Sequence, residues 1–153
     1  MNDGLSDDQA AIWLAYRRMH IGLMAGLDRQ LARDSGMPQG YYAVLATLAR
    51  QADRRLLLSD LARKCNFSQS RLSHAIARME ESGWVAREVS KTSRRSTYAA
   101  LTDLGARVQL DAASGHDRAV RELFFDGVTA VQARRLKEIC DAVSAHIAAF
   151  PKG

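Results

Sequence analysis

The sequence predicts a mainly α-helical fold that contains one small β-hairpin. Apolar residues recur at three- and four-residue steps through most of the 153 residues, which is the period of helices that bury one face. The period shortens to two only after Gly83, in the segments "WVAREVS" and "TYAALT", which are predicted to be strands. The chain contains only two prolines, so long helices can continue without interruption.

Capping residues mark where the first helices are predicted to begin. Ser6 and Gln9 have the spacing of a capping box, which predicts a long first helix with one apolar stripe. After "DSGMP", Pro38 suits the first turn of a second helix that runs to about Arg50. The segment "RRLLL" is predicted to be extended, and Ser59 is predicted to cap a brief helix, "DLARKC".

A tight turn is predicted to join that brief helix to the next one. Asn66 suits the turn because asparagine tolerates the left-handed backbone conformation. Ser68 is predicted to cap the following helix, and Gly83 to end it. The two strands follow, joined by the polar loop "KTSRRS". A helix-turn-helix followed by a hairpin is a winged helix-turn-helix.

The chain ends in two further predicted helices. Thr102 begins the first of them, which Gly115 and Gly127 are expected to bend or break. Thr129 and Gln132 form a second capping box that opens the last helix.

The outer helices carry more apolar surface than so small a body can cover. This favours a homodimer made by intertwined termini, and a helical monomer that closes on itself is the alternative. Seven apolar residues are the interface candidates, although each fits the core of a single chain equally well: Leu5, Ile12, Leu123, Phe124, Ile139, Val143 and Ile147.

Positive charge is concentrated in the central segment. The chain has a net charge of +5, and residues 59–98 contain eight Lys or Arg against four Asp or Glu, which gives +4. The other 113 residues therefore carry only +1. A compact cationic segment is typical of proteins that bind polyanions such as nucleic acids.

The sequence lacks the patterns of membrane proteins, secreted proteins and enzymes. No apolar run reaches the roughly 18–20 residues that span a bilayer, and "MNDGLSDDQA" lacks the apolar core of a signal peptide. Two cysteines are too few for a disulfide framework, and no glycine-rich phosphate loop or nucleophile motif occurs. We therefore expect a cytoplasmic protein that is not an enzyme and needs no metal or cofactor.

The helix that begins after Ser68 has a polar face suited to a DNA groove. Placing Leu72 and Ile76 inward leaves small or polar residues such as Ser70 and Ser73 outward, and short side chains allow close approach to base edges. A solvated face without a ligand is the alternative. The candidate DNA-binding residues on this helix and in the loop are Ser68, Gln69, Ser70, Arg71, Ser73, His74, Arg78, Lys91, Arg94 and Arg95.

The central segment resembles the MarR family of bacterial winged helix-turn-helix regulators. The resemblance is carried by "LSDLA", "FSQSRLS", "ARMEESGWV", the "RR" loop and "ALTDLG". Two positions depart from the family: His74 stands where Arg is more common, and Ser93 where an Asp usually braces the loop arginine, here Arg95. The loop is also slightly short.

The resemblance implies a transcription regulator that binds double-stranded DNA. We expect sequence-specific binding, a repressor rather than an activator, and a homodimer on an inverted-repeat operator, with release by a small aromatic effector. In this interpretation residues 1–153 form one MarR-like domain, with dimerisation helices at 5–35 and 103–150 and the DNA-binding part at 37–102. The alternative is a winged-helix protein-interaction module without DNA binding.

An effector pocket is expected at the junction of the dimerisation helices and the DNA-binding part. The candidates are Tyr16, Met19, His20, Tyr41 and Tyr42, for which packing in the core is the alternative. Cys65 and Cys140 are expected to be buried, inert thiols, and redox sensing is the alternative. The four histidines lack the spacing of a metal site.

Overall fold

A computed structural model describes residues 4–89 and 96–150, and it confirms the mainly helical fold with a small sheet. Its helices are α1 (Asp7–Ser35), α2 (Gln39–Ala49), α3 (Leu58–Lys64), α4 (Gln69–Glu81), α5 (Asp103–Leu123) and α6 (Ala130–Ala149). Its strands are β1 (Arg55–Leu57), β2 (Val85–Val89) and β3 (Thr97–Leu101), and a 3-10 turn covers Phe125–Gly127.

The three strands form an antiparallel sheet in the order β1-β3-β2. Leu57 of β1 and Glu88 of β2 both lie opposite Tyr98 of β3. Along the sheet Val85 and Ala99 are buried whereas Glu88 is exposed, so one face packs on the helices and the other meets solvent.

Four of the predicted helix starts are confirmed by hydrogen bonds. The side chains of Ser6, Ser68, Thr102 and Thr129 each accept a hydrogen bond from a backbone N–H in the first turn of the helix that follows. The turn between α3 and α4 also forms as predicted, with Asn66 in the left-handed conformation at a φ of 53°.

Two local predictions are wrong. Ser59 does not cap α3, because β1 leads directly into the helix and Leu57 occupies the cap position without a side-chain hydrogen bond. Gly115 neither bends nor breaks α5, which continues to Leu123. A Cβ at Gly115 would lie 3.1 Å from Nε2 of Gln30, so the glycine lets α1 and α5 approach closely.

The hydrophobic core joins α2, α3, α4, the sheet, the last third of α1 and the buried face of α5. Its most deeply buried large side chains are Leu31, Met37, Val44, Leu45, Leu48, Leu61, Leu72, Ile76 and Met79. Because three of these residues belong to α4, the buried face of that helix is fixed and its opposite face is turned outward.

The apolar stripe of α1 divides into a buried part and an exposed part. Leu27 and Leu31 are buried, whereas Ile12, Tyr16 and Met19 are exposed. Helix α6 has no buried residue, although it carries a row of large apolar side chains. Within residues 4–89 and 96–150, no helix is both long enough and apolar enough to cross a bilayer.

Candidate nucleic-acid interface

Helix α4 is held so that its N-terminal turn projects from the protein. Phe67 donates its backbone N–H to the Ala62 carbonyl at 2.8 Å, which closes the turn after α3. The Ser68 hydroxyl accepts a hydrogen bond from the Arg71 N–H at 3.2 Å and caps α4. Leu72 is 1% exposed, so the helix cannot rotate without exposing its buried face.

The structure brings the seven α4 candidates to one exposed surface. All of them are exposed, and they occupy the first three turns of the helix and its cap: Ser68, Gln69, Ser70, Arg71, Ser73, His74 and Arg78. Short hydroxyl side chains alternate with cations on this surface, which can hydrogen-bond base edges and attract phosphates.

The side chain of Arg71 leans back towards α2. Its Cζ lies 4.2 Å from the centroid of the Phe67 ring, a cation–π arrangement that holds the guanidinium in place. A Cβ on Gly40 would lie only 2.8 Å from Cζ of Phe67, so a larger residue at this position of α2 would displace the ring. Gly40 and Phe67 therefore support the site, a role that no pattern in the sequence indicated.

An open groove of about 510 Å³ lies between α4 and the start of α2. Arg71, His74 and Arg78 line its α4 side, and Tyr41 lines the other. Arg78 also donates to Glu81 Oε2 at 3.1 Å, which offsets part of its positive charge. The groove is therefore continuous with the exposed α4 surface and shares its cations.

Arg87 joins β2 to α4 on the inner side of the sheet. Its guanidinium lies 2.9 Å from Glu80 Oε2 and donates to the Ser73 carbonyl at 3.2 Å. Its backbone N–H donates to Glu80 Oε1 at 3.0 Å. The side chain of Arg87 thus links the hairpin to α4. From the sequence alone, this residue counted only towards the positive charge of the central segment.

The tip of the hairpin lies outside the described residues. Lys91, Arg94 and Arg95 remain predicted DNA contacts, and Ser93 falls in the same segment. The strands that lead to this tip are described as far as Val89 and again from Ser96.

The five candidate effector residues fall into separate groups. Tyr16 and His20 stack at a centroid distance of 5.9 Å on the exposed part of α1, next to Met19. Tyr41 lines the groove beside α4, whereas Tyr42 is buried. The effector pocket stays a prediction.

The thiols differ in their surroundings. Cys65 is half-buried, its Sγ lies 3.6 Å from Thr47 Oγ1, and burial raises the pKa of the thiol. A raised pKa reduces the reactive thiolate, so Cys65 has the environment of an inert thiol. Cys140 is exposed on α6, where no residue is buried, so the expected burial of this thiol is wrong. Within the described part of the chain, no three His, Cys, Asp or Glu side chains are placed to hold a metal ion.

The buried face of α5 contains a histidine whose protonation is unfavourable. The ring of His116 stacks on Tyr42 at a centroid distance of 4.4 Å. Burial lowers the pKa of His116 from the ordinary value of 6.5, and nearby Asp117 offsets only part of this effect. The folded chain therefore takes up this proton at lower pH than the unfolded chain does.

We expect the free energy of unfolding to fall as the pH drops below about 6.5. The His116 contribution is fully present above the unfolded pKa and is lost as the pH falls from there through the lower pKa of the folded chain, because the unfolded chain binds the proton first. Urea unfolding at pH 7.5 and 5.5, at one protein concentration, measures the difference. His116→Phe keeps a ring against Tyr42 and should show a smaller difference. His74→Gln, at an exposed position, should match the parent chain, and a His116→Phe variant as pH-sensitive as the parent would contradict the assignment.

The fold and the surface of α4 together define a winged helix-turn-helix protein. Helices α3 and α4 form the helix-turn-helix, and β2 and β3 form the hairpin of the wing. The exposed N-terminal turn of α4 has the position that a recognition helix occupies in this class of protein.

Comparisons with known proteins identify the family. A family model described as "MarR family" matches residues 35–96. Sco3205, a MarR family transcriptional regulator from Streptomyces coelicolor whose crystal structure is in complex with DNA, is 41% identical, with a TM-score of 0.87 over 94% of this chain and 90% of that one. AbsC, a MarR family transcriptional regulator from the same organism, is 28% identical, with a TM-score of 0.87 over 97% and 100%.

A relative from Bacillus subtilis (strain 168) is also described as a helix-turn-helix type transcriptional regulator. The uncharacterized HTH-type transcriptional regulator YfiV is 33% identical over 107 residues, which cover 68% of this chain and 63% of that protein's own length. The chain belongs to the MarR family and is a transcriptional regulator of the winged helix-turn-helix class.

Proposed function

We propose that the chain is a sequence-specific repressor that binds double-stranded DNA as a homodimer on an inverted-repeat operator. The proposal rests on the exposed N-terminal surface of α4, where small polar residues and cations lie on the side away from the buried face. The N-terminal residues of a recognition helix meet base edges when the helix enters the major groove.

The side chains of this surface suit two kinds of DNA contact. We assign Gln69, Ser70 and Ser73 to base edges, because they are short or uncharged and exposed at the start of α4. Ser68, Arg71, His74 and Arg78 flank them and suit phosphates. Lys91, Arg94 and Arg95 complete the proposal as phosphate or minor-groove contacts of the wing.

The exposed apolar residues of the outer helices support the homodimer. Ile12 on α1 is 69% exposed and Ile147 on α6 is 66% exposed, and isolated chains rarely leave such rows uncovered. Six of the seven interface candidates are exposed, and Phe124 is partly buried: Leu5, Ile12, Leu123, Phe124, Ile139, Val143 and Ile147. Residues 5–35 and 103–150 are therefore proposed as dimerisation segments around a DNA-binding part at 37–102.

Release by a small aromatic effector is part of the proposal. Tyr41 faces Arg71 and His74 across the groove beside α4, so an aromatic acid bound there would contact side chains proposed to meet DNA. Tyr16, Met19, His20 and Tyr42 are the further candidates for effector contacts.

Binding to random-sequence DNA at two salt concentrations tests the proposal against the alternative of a protein-interaction module. We expect fluorescence anisotropy to show binding of a labelled duplex at low salt and much weaker binding at moderate salt, because displaced counterions dominate non-specific affinity. Binding of a labelled peptide of mixed sequence is measured in the same way, as the control for the alternative of a protein-interaction module. Absence of DNA binding at low salt would contradict the proposal and favour the alternative.

A further inference from the structure

We propose that Arg55 sets the direction of the wing by tying the edge strand of the sheet to β2. The inference rests on the proposed function, because it concerns how the wing meets DNA. Arg55 is a positioning residue in this account, since it acts on DNA binding through the hairpin and makes no DNA contact itself.

The guanidinium of Arg55 holds three groups around the sheet. It donates from Nη1 to Glu88 Oε2 and from Nε to Asp53 Oδ2, each at 3.1 Å. Its Cζ also lies 4.7 Å from the centroid of the Tyr98 ring. Arg55 lies opposite Ala100 of β3, two residues from Tyr98, and alternate residues share a face of a strand. Arg55, Tyr98 and Glu88, one from each strand, therefore form a brace across the solvent face of the sheet.

The brace lies where the hairpin leaves the body of the protein. Strand β1 pairs with β3 only as far as Leu57 and Tyr98, whereas β2 and β3 remain paired to Val89 and Thr97. From that point the described hairpin has two strands, and a two-stranded ribbon is marginally stable and strongly twisted on its own. A contact that holds the base of the ribbon in place therefore determines the direction in which the ribbon points.

The proposed wing contacts are attached closely to this point. Lys91 lies three residues beyond Glu88 along the chain, and Arg95 lies three residues before Tyr98. Arg87 already holds the opposite face of β2 to α4. With the brace, the base of the wing is fixed on both faces.

The arrangement differs from an isolated surface ion pair. Arg55 and Glu88 have side chains that are 44% and 47% exposed, and a single exposed pair contributes little. Here one cation engages two carboxylates and an aromatic ring, and such networks contribute more than single pairs. We expect the effect to appear mainly in DNA binding, where a misdirected wing loses several phosphate contacts at once.

Arg55→Met tests the inference, because methionine keeps an aliphatic side chain and removes the cation. Affinity for an operator selected from a random pool is measured by anisotropy over a range of salt, and the backbone positions protected from hydroxyl radicals are mapped. We expect about fivefold weaker binding and lost protection at the outer positions reached by the wing, with central protection retained. Glu88→Gln should show a smaller loss, and Tyr98→Phe, which keeps the ring, should match the parent.

The outcomes separate this inference from the proposed function. Parent-like affinity and footprint in Arg55→Met, with equal thermal stability, would overturn the inference alone. A salt slope lowered by about one, together with a footprint that keeps the outer positions reached by the wing, would make Arg55 itself a phosphate contact and would also overturn the inference. A parent chain that binds no DNA would refute the proposed function and this inference with it.

Discussion

Ser70→Glu is expected to weaken operator binding by at least about 100-fold, since bringing like charges together at an interface costs several kcal/mol. Ser70 is the second residue of α4 and is exposed, so the new carboxylate would face the phosphates and base acceptors of the groove. The same carboxylate suits the positive end of the helix dipole, so folding should not suffer. Anisotropy with the selected operator measures the loss, and thermal unfolding verifies that the variant is folded.

Ser114→Glu is the matched control. Ser114 is exposed on α5, outside the helix-turn-helix and not among the seven proposed interface residues, and the substitution adds the same charge. Its affinity should stay within about threefold of the parent, because a charge far from the DNA is screened by salt. Equal losses in the two variants would mean that the α4 surface has no special role in DNA binding.

Val143→Glu is expected to convert the protein into a monomer and to reduce operator affinity by about 100-fold or more. Val143 is 52% exposed within the apolar row of α6, next to Ile139 and Ile147. In a two-fold interface the substitution places two unpaired carboxylates in apolar surroundings, which should separate the two chains. A single chain also lacks the gain in affinity that comes from two linked DNA-binding sites. Sedimentation should give about the 16.9 kDa of one chain instead of twice that mass.

Ala145→Glu provides the comparison on the same helix. Ala145 is exposed and lies about 200° around α6 from Val143, on the opposite side of the apolar row. This variant should remain a dimer and bind DNA as the parent does. A Val143→Glu protein that still sediments as a dimer would contradict the proposed interface.

The sequence predicted most of the fold because its helix signals are local. Ser68 needs only its own first turn to act as a cap, and Gly83, which ends the α4 segment, has the positive φ of 73° that glycine favours. Ser59 misled the prediction because the start of α3 depends on the pairing of Leu57 with Tyr98, a partner 41 residues away along the chain.

The contacts that hold the site in place were harder to predict from the sequence than the exposed residues of the site. The outward face of α4 follows from helical period alone, so its exposed residues could be named in advance. The contact of Arg71 with Phe67 depends on the turn geometry and on the nearby backbone of Gly40. The link from Arg87 to Glu80 crosses from β2 to α4, and no spacing in the sequence shows that the two elements meet.

Selection of bound duplexes from a pool of random sequence tests the central claim most directly. If two copies of α4 enter the major groove, the enriched DNA should be an inverted repeat with half-site centres about 10–10.5 base pairs apart, or a multiple of that spacing. Enrichment should disappear when Ser70→Glu replaces the parent chain. A pool that remains random, or an enriched sequence without two-fold symmetry, would contradict recognition of DNA by paired α4 helices.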